Sequence, residues 1–457
     1  MKTPTPPPTD TALDLLMRYG AHLTLNELKH ITEPATATAR QLSQAGYPTW
    51  DEVRYSPLVA GLPSPELVWA NIKYGRHQSA HPTPFTLMDG TQLTYNIPGE
   101  LLRLIEEIAR RAAGSLQTTE PSLADSPRQY LLTSLQEEAI TSSQLEGAST
   151  TRVVAKEMLR SRRKPRDKGE QMVANNFAAM QLISQRRQAP LTPEFVCQLH
   201  RVLTAGTLPA GQAGRLQQPG EERVRIYADH TDEQVLHVPP PTAELPARLQ
   251  AVCDFANAGW DGGDSPYTPP LIRSMVLHFM VGHDHYFSDG NGRLARAIFY
   301  WSMLHHGFFL TEYLSISRLL RQAPAQYARA FLHVEYDEGD LTHFLLHQAR
   351  IVVRAINDLE TYLARKEHER LTLSPTLAGA GFNSRQCDLL ASLLVKPSVM
   401  LTVSGYQERY EVSNQTARTD LQGLEEAGLI VGSRSGKRME WWTARDFPSR
   451  MRQLTSS

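Results

Sequence analysis

Between two apolar helical segments the chain carries Asp289-Gly290-Asn291-Gly292, and no other stretch restricts the fold as much. Two glycines alternating with two Asx residues disfavour a helix interior and favour turns and left-handed conformations. Upstream, Leu271 to Met280 reads as a largely buried helix; downstream, Arg293 to Trp301 reads as another. The pattern is therefore helix, glycine-rich loop, helix. A loop that opens a helix presents clustered N–H groups and the positive end of the helix dipole, which suits an anion. Arg293 and Arg296 are three apart, so they share one face of the second helix. Their guanidinium forks match phosphate oxygens. Asp289 beside a phosphate is a natural Mg²⁺ ligand. His285, just ahead of the loop, is placed to take a proton from a hydroxyl at neutral pH.

Two blander readings compete. A lone Asp-Gly-Asn-Gly run is usually a surface turn. The cluster His278, His283, Asp284, His285 and Asp289 also suggests zinc or a His-Asp phosphohydrolase. Against the metal reading, His283 and His285 are two apart and point to different faces of a helix. The full stretch His285-Tyr286-Phe287-Ser288-Asp289-Gly290-Asn291-Gly292-Arg293-Leu294-Ala295-Arg296 decides between them. It resembles the signature of the Fic family, His-x-Phe-x-Asp-Gly-Asn-Gly-x-x-x-Arg. Most members of that family transfer AMP from ATP to a protein hydroxyl. Every chemical position is filled. Tyr286 departs from the usual Pro, at a position expected only to shape the turn.

The resemblance implies a role for each residue. His285 would be the catalytic base and Asp289 the Mg²⁺ ligand. Gly290, Asn291 and Gly292 would form the anion hole, Arg293 would sit on the phosphates, and Arg296 would take the γ-phosphate. ATP would be the substrate and Mg²⁺ the cofactor.

A second motif lies upstream. Leu135 to Gly147 reads as a helix ended by Gly147, with Ser142 and Glu146 four apart on one face. By itself this is an ordinary helix with a polar end. Beside the signature it resembles the family's inhibitory motif, Ser/Thr-x-x-x-Glu-Gly/Asn. Ser142, Glu146 and Gly147 fill it, and the resemblance implies that Glu146 pairs with Arg296 and displaces the γ-phosphate. It also implies the class with an inhibitory helix before the catalytic domain.

Arg223 to Tyr227 and Gln234 to Val238 are short alternating runs around a polar turn, a hairpin signal closed by Pro239-Pro240-Pro241. An edge hairpin without a role is the plain reading. The resemblance implies a flap near 223–238 that docks a target protein as an added strand. Self-modification is a further expectation.

At 457 residues the chain exceeds one ordinary core. Its formal charge of −1 shows no global bias toward nucleic acid or membrane. Cys197, Cys253 and Cys387 have no metal spacing and suit a reducing cytoplasm. No apolar run reaches membrane length, and the start Met1 to Pro8 has no apolar stretch, so a cytoplasmic location is expected. The first ten residues are expected to be disordered.

Residues 1–115 read as a separate, mainly helical region. Helices are expected at Thr11–Arg18 and Leu25–Glu33, helical spacing runs from Tyr55 to Gly75, and a hairpin surrounds Asp89-Gly90. Gln117 to Pro127 reads as a linker, and Arg160 to Lys168 as a basic solvated loop. Near the C-terminus, helices are expected at Ser384–Val395, Thr402–Tyr410 and Asn414–Ala427, followed by a basic-tipped hairpin. That order resembles a winged helix-turn-helix. Arg418 on the third helix and Arg434, Lys437 and Arg438 in the wing are candidates to contact DNA or a partner protein. Glu408, Glu411, Asp420, Glu425 and Glu426 weaken the electrostatic case for DNA.

The expected architecture is mainly α: a helical N-terminal region (1–115), a Fic-type helical domain with a small hairpin flap (116–375), a winged helix-turn-helix (376–447) and a tail (448–457). The expected activity is a protein adenylyltransferase acting on Ser, Thr or Tyr and held off by Glu146. Its rivals are a Fic-type deAMPylase or other nucleotide or phosphate-group transferase, and a DNA-binding regulator whose Fic domain senses nucleotide. A homodimer is left open.

Overall fold

The computed structural model describes residues 3–20, 23–62, 64–113, 127–209, 211–227, 235–258, 267–395, 400–435 and 438–456. The chain divides into two compact units, one of residues 1–115 with 134–356 and one of 116–133 with 357–457. It is mainly helical.

The first unit opens with α1 (Ala12–Gly20), α2 (Leu25–Ala45), α3 (Trp50–Arg54) and α4 (Pro65–Gln78). The capping box of Thr24 and Glu27 starts α2. This helix runs through Pro34 to Ala45, beyond the expected end at Glu33. Ala35 and Ala39, one turn apart, bury in the core around Trp50, Val53, Leu67 and Trp69, and that packing carries the helix on. The helical pattern expected from Tyr55 begins only at Pro65, capped by Ser64. The segment 3–10, expected to be disordered, is tied down: Pro4 is buried and the Thr5 N–H donates to Asp51 at 3.1 Å.

Strands β1 (His81–Thr86) and β2 (Gln92–Tyr95) form an antiparallel hairpin around Gly90, whose φ is +85°. Helix α5 (Gly99–Ala112) follows. The N-terminal region is joined to the rest of its unit by backbone. The Thr94 N–H donates to Gly339 and the Leu341 N–H to Thr94. Lys73 adds a buried ion pair to Asp337 at 2.8 Å. Residues 1–115 thus belong to the same compact unit as the glycine-rich loop.

Next come α6 (Pro127–Leu145), α7 (Arg152–Ser161), α8 (Lys168–Arg186) and α9 (Pro193–Thr204). The short strands β3 (Ile226–Tyr227) and β4 (Val235–His237) pair antiparallel before α10 (Leu245–Asn257). Their connecting residues 228–234 lie outside the described residues, as does the linker expected at 117–127 except for Pro127, which opens α6.

At the centre lie α11 (Pro270–Asp284) and α12 (Asn291–His305), which pack along their length with α8, α9 and α10 around them. Both are buried on nearly every side, as an all-round apolar helix requires. One polar pair crosses between them, Ser274 to Ser302 at 2.8 Å between hydroxyls. Helices α13 (Ile316–Gln322), α14 (Pro324–Tyr336) and α15 (Thr342–Gly379) follow. The domain boundary expected at 375 falls inside α15.

The second unit holds α16 (Ser384–Val395), β5 (Leu401–Thr402), α17 (Val403–Tyr410), α18 (Asn414–Glu426), β6 (Ile430–Ser435), β7 (Arg438–Thr443) and α19 (Phe447–Ser456). Its antiparallel sheet has the order β5-β7-β6. Leu389, Leu393, Leu421, Leu424 and Trp441 form the core. Residues 448–457, expected as a tail, lie largely in α19, because Phe447 and Met451 bury in this core. Cys253 and Cys387 are buried and Cys197 is half-buried, all three as free thiols. Among the described residues no helix is long and apolar enough to cross a membrane.

Candidate active site

The loop between α11 and α12 carries the signature. His285 caps α11 in the left-handed region, φ +48°, a strained choice for a residue with a β-carbon. Its Nδ1 faces the Gly282 carbonyl. A carbonyl only accepts, so Nδ1 carries the hydrogen and Nε2 keeps its lone pair. Nε2 makes no hydrogen bond to a described residue. Burial lowers the pKa of the ring to about 4, opposed by the Gly282 bond, so the ring is neutral near pH 7.

Gly290, with φ +86°, is the N-cap of α12. A β-carbon there would press on Thr204 Cγ2 at 2.9 Å, so only glycine fits. The N–H groups of the loop and the first turn of α12 open at this point. Asp289 is half-exposed. Its Oδ1 accepts from the Gly290 N–H and lies 3.8 Å from Arg293, while Oδ2 meets no described partner. A carboxylate with one oxygen to spare fits a hard divalent cation.

Arg293 is buried. One of its nitrogens donates to the Leu203 carbonyl at 2.9 Å, and its Nε is buried without a partner. Asn291 was expected in the anion hole with Gly290 and Gly292, and its side chain is not free for that role. It is spent on the loop instead, accepting from the Phe287 N–H at 3.0 Å and donating to the Phe287 carbonyl at 2.7 Å. What Asn291 offers an anion is its backbone.

Helix α6 delivers the second motif to the same place. Arg296 donates from Nε to the Ser142 hydroxyl at 2.8 Å, and from Nη2 to the Ser142 carbonyl at 3.0 Å and to Glu146 Oε1 at 2.9 Å. Burial opposes the Arg296 cation, but Glu146 and the neighbouring Tyr327 and Glu138 together outweigh it and hold the guanidinium pKa above its usual value. The Glu146 carboxylate also covers Gly292, where a β-carbon would collide with it. Gly147, φ +85°, ends the segment in the left-handed region. Deeper in α6, buried Glu138 accepts from the Ser317 N–H at 2.9 Å and from the Ser317 hydroxyl.

Three supporting residues were not anticipated. Arg223, ahead of β3, donates to the carbonyls of Asp284, His285 (2.7 Å) and Pro240 (2.7 Å). It ties the hairpin to the turn at His285, and the pairing of β3 is shorter than the expected 223–227. His200 accepts from the Gly214 N–H at 2.9 Å, donates to the Asp289 carbonyl at 2.8 Å, and stacks on Phe287 at 3.7 Å. Asp284 accepts from the Tyr286 hydroxyl at 2.7 Å and from Arg248. Tyr286 therefore does more than shape the turn: it anchors it. A signal for His200 was present, because it interrupts the apolar stripe Val196, Leu199, Leu203 on α9. Arg223 gave none beyond its place in the hairpin, and Asp284 was legible only as a member of a candidate metal cluster.

In the second unit Arg418 and Arg434 are exposed. Lys437 and the side chain of Arg438 lie outside the described residues. Asp420 and Glu425, counted against DNA, face inward. Asp420 takes Arg385, Asn383 and the Tyr406 hydroxyl, and Glu425 takes the Gly432 N–H and Trp441 Nε1.

Comparison with known proteins agrees with the loop. Residues 190–303 match the Fic/DOC family, whose members are typically transferases. A Fic family protein from Desulfovibrio desulfuricans G20 superposes with a TM-score of 0.50 at 18% identity, covering 80% of this chain and 99% of that one. Fic-1 (residues 134–508) from C. elegans gives 0.47 at 16% identity, covering 77% and 93%. No curated protein sequence matches. The fold, the intact loop and the matched segment agree: the chain carries a Fic/DOC family domain at residues 190–303.

Proposed function

We propose that this Fic-type domain is a protein adenylyltransferase held off by Glu146. A Ser, Thr or Tyr hydroxyl of a target attacks the α-phosphorus of ATP. The new O–P bond forms as the bond to pyrophosphate breaks, and the hydroxyl proton passes to His285 Nε2. The N–H groups of Asn291 and Gly292, joined by that of Gly290 once Asp289 Oδ1 turns from it, receive the phosphate oxygens, and Arg293 adds its charge. Mg²⁺, when bound with ATP, would be held by Asp289 and neutralise phosphate charge. Arg296 takes the γ-phosphate once Glu146 leaves it. The target lies along the exposed edge of the β3–β4 hairpin, where Val235 is 39% exposed. The second unit we read as a winged helix that docks DNA or protein through Arg418 and Arg434, apart from the chemistry.

The observation that carries this reading is the neutral ring of His285, with Nε2 unspent, at the mouth of a glycine loop whose second arginine is already held by a carboxylate. The test is incubation with α-labelled ATP and Mg²⁺. Wild type should label itself faintly, Glu146→Gly strongly and His285→Ala not at all. Equal ATP affinity in wild type and Glu146→Gly would remove the autoinhibition, and no transfer by any variant to itself or to a lysate would remove the activity.

A further inference from the structure

Behind the turn at His285 lies a group that the proposed chemistry does not use. His237 ends β4, His283 lies in the last turn of α11, and Glu335 lies in the last turn of α14. Both histidines are buried and Glu335 is half-buried. One nitrogen of each ring and one Glu335 oxygen lie within 4.8 Å of one another.

The hydrogen bonds fix what these atoms can be. His237 Nε2 is 2.7 Å from the His283 carbonyl, which only accepts, so Nε2 carries the hydrogen. Nδ1 of a neutral His237 ring then directs a lone pair at Glu335 Oε1, 2.9 Å away. Two acceptors at that distance repel unless a cation lies between them. His283 repeats the arrangement: Nδ1 is 3.2 Å from Asp284 Oδ1, so it donates to that carboxylate and leaves Nε2 with a lone pair. Each ring is thus set in one tautomer by an acceptor behind it. Imidazole ligands of metal ions are held in this way, by a carbonyl or carboxylate on the far nitrogen.

We propose that His237, His283 and Glu335 form a binding site for a borderline divalent cation, Zn²⁺ by its donor set of two imidazoles and one carboxylate. Zn–N bonds are about 2.0–2.1 Å, so the three donors close on the ion with shifts of about an ångström. A fourth position is left for water. The ion pins the His237 end of β4 to the end of α11 two residues before His285, and to α14. This site shares no ligand with Asp289 and does not depend on the proposed transfer reaction. The competing occupant is a proton shared by His237 and Glu335.

Tag-free protein stripped with EDTA, incubated with zinc sulphate and desalted should retain about one zinc per chain by elemental analysis. Its melting temperature should rise with zinc. Glu335→Gln and His283→Phe, checked for folding by circular dichroism, should retain at least about tenfold less and lose the shift. Asp289→Ala should retain zinc as wild type does. Folded wild type that keeps no zinc would assign the cluster to a proton and overturn the proposal. So would equal retention by both ligand variants, or loss of zinc in Asp289→Ala with retention in Glu335→Gln.

Discussion

At the scale of single residues the site fixes its base from behind and leaves the atoms that face a ligand unspent. His285 is held in its tautomer by Gly282, and its backbone carbonyl by Arg223. Because burial lowers its pKa to about 4, its basic form is complete well below neutrality. The kcat/KM of Glu146→Gly should therefore show no histidine-like inflection between pH 6 and 8, and should fall only as pH drops toward about 4. A limb centred near 6.5, absent from a substrate-independent control, would show that the ring is not desolvated as described. The signature residues were legible because they are contiguous, and their chemistry is written in residue type and spacing. Arg223 and His200 lie 62 and 89 positions from their carbonyl partners, a distance that no local pattern spans. Asn291 was legible as part of the loop but not in its bonding, since an amide there can face an anion or its own backbone.

At the scale of elements, α6 is, on the proposed reading, the part whose stability sets the resting state. Its end at Gly147 is left-handed, and a β-carbon there meets no atom within 4 Å, so Gly147→Ala adds backbone strain without a clash. That strain is about 1–2 kcal/mol. It should loosen the segment carrying Glu146 and give self-labelling between wild type and Glu146→Gly. Labelling no greater than wild type in a variant with a lowered melting temperature would mean that the strain is absorbed elsewhere. Element type was readable wherever the apolar period was clean, as in α11, α12, α16 and α18. Ends were readable where a cap announced them, as Ser413 does for α18. The reading failed where tertiary packing overrode a local rule. Proline at 34 did not end α2, and a polar C-terminal stretch became α19 by burying two side chains.

At the scale of the whole molecule, the histidines are unevenly distributed. Of the 16 in the chain, all but His368 lie in the unit of 1–115 and 134–356. Burial lowers His200, His285, His306 and His347 to about 4 and His278 to about 3. Unfolded histidine titrates near 6.5, so between that value and about 4 the unfolded chain binds more protons. Stability of this unit is thus full above about 6.5 and declines as pH falls through the window. Melts followed by calorimetry should show a transition that moves down from pH 7.5 to 5, while a transition of the other unit moves less. Melting of the first unit that is unchanged at pH 5 would contradict the buried neutral state of these rings. The partition into units was the least legible feature, because it depends on backbone bonds such as Thr94 to Gly339 that join distant segments.

The grip of α6 on Arg296 has a kinetic consequence. Glu146 is covalently part of the chain, so it behaves as a tethered ligand whose effective concentration does not change on dilution. On the proposed reading ATP competes with it for one guanidinium, and the apparent dissociation constant of ATP is the intrinsic one divided by the fraction of molecules with the carboxylate away. On the proposed reading the enzyme is then graded by nucleotide supply: raising ATP recruits more open molecules, while the turnover of each open molecule stays the same.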